Sequence, residues 1–142
     1  MNKTYALGLV IFATLGTFMM TAAEPTVTYV GHEKVAKGGS LVTQPDLAVQ
    51  MATRTGPGQV EVHEKETDVF HVLDGEATFL TGGKMVDGKK TKEFQWLGTS
   101  MEGGEVHHLT KGDVIVIPAG VPHWFKEVPK RIEYHVVKVI KP

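Results

Sequence analysis

The chain has 142 residues, enough for one domain, and its 42% hydrophobic and 22% charged residues suit a globular protein rather than a disordered one. Seven His and no Cys exclude a disulfide scaffold, Cys-ligated zinc, an iron–sulfur cluster and a thiol nucleophile, and leave any metal site to His and carboxylates. A net charge of −1 provides no basic field, so no nucleic-acid partner is expected.

In chain order, Lys3 comes first, then an apolar run over residues 5–20, then the small residues Thr21-Ala22-Ala23. This is the layout of a secretory signal with a signal-peptidase site. The expected division is a signal peptide over 1–23 and a single domain over 24–142, with cleavage after Ala23. Export places the protein in a periplasm or outside the cell, with no stable membrane anchor once cleaved. An uncleaved anchor is the alternative.

The remainder shows no amphipathic helix of useful length and reads as all-β. Residues 47–51 and 60–63 alternate apolar with small or polar side chains. Residues 69–73 are mostly large and apolar, Asp74-Gly75 looks like a hairpin turn, and 77–80 follow as the return strand. Further candidates are 94–97, 106–109, the β-branched run 114–117, His123-Trp124-Phe125 and the long segment 132–140. Nine or ten strands spaced this closely predict a sandwich or barrel. The glycine-rich stretch 82–104 reads as an extended hairpin or flap anchored by Phe94 and Trp96, long enough to serve as a lid.

Two histidine motifs stand out. On a strand, Glu61 and His63 share one face and Val60 and Val62 the other. After a short loop, Asp68, Phe70 and Val72 share a face of the next strand. If those two strands pair, Glu61, His63 and Asp68 converge, and a His with carboxylates can form half of a hard-metal site. The second motif runs from Gly112 through Pro118-Ala119-Gly120 to His123: a glycine opens a buried strand, a Pro-x-Gly turn reverses it, and a His begins the return.

Together the two motifs resemble those of the cupin superfamily, G-x5-H-x-H-x(3,4)-E-x6-G and G-x5-P-x-G-x2-H-x3-N. Gly75 closes the first, Asp68 holds its Glu position, His63 its second His position and Glu61 its first, while the opening Gly falls at Thr55, beside Gly56. The second is matched by Gly112, Pro118, Gly120 and His123, with Glu127 at the terminal Asn position. The resemblance implies a double-stranded β-helix (a jelly-roll barrel), often a homodimer, with a divalent metal deep in the barrel. It implies His63, Asp68, His123 and Glu61 as the metal residues. Two carboxylates would harden the site and favour manganese, iron or zinc over copper by ligand type. If Glu61 does not ligate, it is a candidate general base. Tyr134, which shares a face with Ile132 and Val136, is a candidate to offer its hydroxyl to a substrate. His107 is a reserve ligand, and His71 is expected on an outer face. Met51, Phe70, Phe79, Trp96, Trp124 and Phe125 are expected in the core or pocket wall.

The leading functional expectation is an exported metal-dependent enzyme acting on a small organic molecule, of the oxygenase, isomerase or lyase class. The alternatives are a non-catalytic periplasmic protein that binds a small molecule or metal, and a degenerate cupin with an empty site.

Overall fold

The computed structural model describes Glu24 and residues 26–142. The expected signal segment lies outside the described residues. Among the described residues, beyond one short helix, α1 (His32–Ala36), the elements are strands. They are β1 (Gly39–Thr43), β2 (Leu47–Arg54), β3 (Val60–His63), β4 (Glu66–Thr81), β5 (Lys84–Val86) and β6 (Lys89–Lys92). They continue with β7 (Gln95–Gly98), β8 (Ser100–Glu102), β9 (Glu105–Thr110), β10 (Val114–Ile117), β11 (His123–Glu127) and β12 (Ile132–Ile140).

Two antiparallel walls face each other. The first runs β1-β2-β12-β4-β10 and the second β9-β4-β11-β3-β7-β6. This is the double-stranded β-helix that the strand pattern predicts. Its core is an aromatic cluster between the walls: Phe70 stacks on Phe125 at 5.9 Å, Phe79 meets Phe125 edge-on at 4.6 Å, and Tyr134 lies 5.1 Å from both Phe70 and Phe125. Phe79 and Ile132 are fully buried.

Two expectations about strand pairing require correction. First, Asp74-Gly75 is not a hairpin turn. β4 is one strand of 16 residues that serves both walls. Gly75 sits at φ +77° where β4 passes from one wall to the other, and a Cβ there would collide with the Arg131 carbonyl. The register to β12 shifts beside it, so the glycine supports a bulge, not a reversal. Second, β3 and β4 do not pair. β11 lies between them, through His123↔Glu61 on one side and His123↔Thr81 on the other. The 82–104 segment is the expected extended hairpin, its two arms interrupted at 87–88 and 98–99 while their register runs on. β5 pairs with β8, while β6 pairs with β7, and β7 extends the second wall by pairing with β3. Trp96 anchors this extension by donating Nε1–H to Glu64 Oε1 at 2.6 Å. Phe94 is exposed, with the Lys65 ammonium 4.6 Å from its ring centroid. It is a surface contact and not an apolar anchor.

Candidate metal centre

His63 and Glu61 point into the barrel from β3, and His123 points in from β11. Asp68 faces them from β4 in the opposite wall. The predicted residues therefore do converge, but across the barrel interior. His63 Nε2 lies 3.3 Å from Glu61 Oε2 and 3.6 Å from Asp68 Oδ2, and His123 Nε2 lies 3.8 Å from the same Asp68 oxygen. His63 Nδ1 is 3.6 Å from Glu66 Oε2. Glu61, His63 and His123 form one set able to hold an ion, and His63, Glu66 and Asp68 form a second.

The donor chemistry fits a cation. His123 Nδ1 lies 3.1 Å from the Val121 carbonyl, which can only accept, so Nδ1 carries the proton and Nε2 presents its lone pair to the cluster. Burial pushes the His123 pKa down against the carbonyl contact and the nearby carboxylates, which keeps the ring neutral and competent to ligate. Burial would raise Glu61, but the hydrogen bond from His63 and the charges of His123, His63 and Arg54 outweigh it, and Glu61 stays below its ordinary value as an anion. The ligand atoms of Glu61, His63 and His123 lie within 4.8 Å of one another, and an ion bound among them would replace the proton that His63 shares with Glu61. Two imidazoles and one carboxylate suit manganese, iron or zinc and leave coordination positions open.

Asp68 has a further partner. It is 1% exposed, and both its oxygens accept from Lys138 Nζ, at 2.9 and 3.1 Å. The same ammonium donates to Glu66 Oε2 at 2.7 Å. Burial would lower the Lys138 pKa, but Asp68 and Glu66 overcome it and hold the amine charged. Glu66 and Lys138 are absent from the sequence-derived site. Lys138 had a signal, since it continues the inward period of Ile132, Tyr134 and Val136 by one more step.

A cavity of about 190 Å³ adjoins the cluster, lined in part by Glu61, Asp68, His123, Phe125, Tyr134 and Arg54. Burial raises the Tyr134 pKa, partly offset by Arg54, so its hydroxyl remains a donor. The remaining candidates lie elsewhere. His107 bonds Thr81 Oγ1 at 2.7 Å and lines a separate small pocket, so it supplies no ligand to either set. His71 is exposed on the outer face of the first wall, where Met51 also packs, in the next strand but one. Trp96 lies outside the cavity lining, as does every residue of 82–104.

Fold and cluster together define a jelly-roll protein with a His-carboxylate centre inside its barrel. A family model described as "Cupin" matches residues 26–139, and the chain belongs to that family. No curated protein matches it. Among solved structures it is similar to BH2720 from Bacillus halodurans, with a TM-score of 0.55 at 15% identity, over 80% of this chain and 82% of that one. It is similar to TT1209 from Thermus thermophilus, with a TM-score of 0.52 at 19% identity, over 74% and 83%. A cupin superfamily protein from Desulfitobacterium hafniense has a TM-score of 0.52 at 14% identity, over 73% and 76%. At these identities the likeness concerns the fold.

Proposed function

We propose that this cupin is an exported, homodimeric, metal-dependent enzyme acting on a small organic molecule, of the oxygenase, isomerase or lyase class. The observation that carries the reading is the cavity that opens directly beside the Glu61, His63 and His123 set. A closed, purely structural site would have no such space. A bound divalent ion supplies a Lewis acid that polarises a substrate oxygen. The chain's own residues do the rest. His63, His123 and Glu61 hold the ion, and Phe70, Phe125 and Val136 keep the apolar side of the cavity dry. Tyr134 offers a protonated hydroxyl to the substrate. Lys138 neutralises Asp68 and Glu66 behind the ligands. Export is supported by the signal-like pattern of residues 1–23.

The test is elemental analysis of the untagged protein recovered from an expressing cell's periplasmic fraction. Wild type is expected to carry one equivalent of manganese, iron or zinc and to begin at Glu24 by intact mass. His63→Ala with His123→Ala is expected to carry none. A wild-type protein that holds no metal after reconstitution overturns the metal reading, and an uncleaved chain in the cytosol overturns export.

A further inference from the structure

Two cations border the cavity, and they differ in what they are free to do. Lys138 has all its short contacts within the protein, on both oxygens of Asp68 and on Glu66. Arg54 does not. Its nearest carboxylate oxygen, Glu61 Oε1, is 3.7 Å from Nη2, an ion pair but too long for a hydrogen bond. A guanidinium has five N–H donors in a planar fork matched to a carboxylate or phosphate.

The seat of this fork is built. Arg54 Cζ lies 4.9 Å from the Phe125 ring centroid, a stacking and cation–π contact that fixes the plane of the group. Gly58 flanks it, and a Cβ at Gly58 would come within 2.7 Å of Arg54 Nη1, so the missing side chain is what makes room. The Gly58 backbone is tied to β11 on both sides. Its N–H donates to the Phe125 carbonyl at 2.9 Å, and its carbonyl accepts from Trp124 Nε1 at 2.8 Å. Glu61 then joins this seat to the metal cluster: Oε1 faces Arg54, while Oε2 lies 3.3 Å from His63 Nε2. One carboxylate separates the fork from the ligand set.

Charge and size narrow the occupant. Arg54 and Lys138 against Glu61, Glu66 and Asp68 leave one net negative charge. A divalent ion turns this into one net positive charge, which a monoanion neutralises and a dianion overshoots. A cavity of about 190 Å³ is below the usual range for drug-sized ligands, so the occupant has few heavy atoms. We propose that the cavity binds a small monocarboxylate carrying a second oxygen, with Arg54 gripping the carboxylate and the second oxygen turned toward the Glu61, His63 and His123 set. This deepens the metal-dependent reading above and rests on it.

The experiment is calorimetric titration of the manganese-loaded protein with glycolate, lactate and pyruvate, with pyruvamide as the neutral isostere and with inorganic phosphate, the metal content of each sample being measured alongside. At least one of the three carboxylates is expected to bind, and pyruvamide at least about tenfold more weakly than pyruvate if pyruvate is among them. Arg54→Gln is expected to keep its metal and to lose about tenfold or more in carboxylate affinity, with Arg54→Lys in between because it keeps the charge but not the fork. The proposal is overturned if the metal is stoichiometric and no carboxylate binds, if Arg54→Gln binds as well as wild type, or if phosphate binds more tightly than every carboxylate. A protein that never loads metal overturns the metal reading and this inference with it, and the metal analysis tells that failure from the others.

Discussion

Glu61 stands where the resembling family pattern has a His, and its surroundings favour one of the two roles the sequence left open. Oε2 lies 3.3 Å from His63 Nε2, and Glu61, His63 and His123 form one set that could hold an ion. Its pKa sits below the ordinary carboxylate value, because burial is outweighed by His63, His123 and Arg54. A weak base among other ligands is better suited to ligating than to taking a proton. Glu61→Gln is therefore expected to lower metal affinity by at least the roughly 10–100-fold that loss of an outer-shell partner costs, measured by competition with a chelator. Unchanged metal affinity would return Glu61 to the role of base. The ligand-type residues were legible because the two motifs are local: each spans one strand, one turn and the start of the next element. Arg54 was not legible as a site residue, and Lys138 was legible only as an inward-facing side chain, without its partners. They arrive on β2 and β12, strands remote in sequence, and a lone cation near a strand end carries no local signature of its partner.

At the scale of the element, β4 shows how a correct local signal can carry the wrong meaning. Asp-Gly marks a hairpin when the flanking strands pair with each other. Here the two halves of β4 pair elsewhere, with β12 and β10 on one side of Gly75 and with β9 and β11 on the other. The glycine is required for another reason, since the Arg131 carbonyl, which accepts from Glu76 N–H at 3.2 Å, fills the space a Cβ would need. Gly75→Ala is expected to cost about 3 kcal/mol or more in chemical denaturation, because left-handed strain adds to a backbone collision. Gly82→Ala provides the comparison. It shares a positive φ, +74°, but has nothing within 4 Å of the added Cβ, so it should cost only about 1–2 kcal/mol. Equal losses at the two sites would remove the collision from the explanation. Period-two alternation fixed which side chains share a face along β3 and along β4, yet it is silent on which strand lies alongside, which is why β11 between them went unseen.

For the whole molecule, the telling feature is that the first wall carries apolar side chains on its outer as well as its inner face. Its inner face packs the Phe70, Phe125 and Tyr134 core. On its outer face the strand registers align Val116, Val69, Val137, Val49 and Val42 in one row across five strands. Val114 and Val139 flank that row, and Val114, Val116 and Val139 are 61%, 57% and 49% exposed. Ahead of α1, Val27 and Tyr29 are almost fully exposed as well. An exposed apolar row of this kind is the surface a protein interface would use. A second copy of the chain suits it, because a two-fold interface brings the same patch against itself and an uncharged valine row is self-complementary. A net charge of −1 also gives little self-repulsion to oppose pairing. Val114→Glu with Val116→Glu puts two carboxylates on β10, where both side chains already reach solvent, so folding and metal content are expected to be unchanged. Sedimentation velocity should then show a wild-type dimer and a monomeric double variant. A wild type that sediments as a monomer at micromolar concentration, or a double variant that remains dimeric, would place the interface elsewhere or remove it.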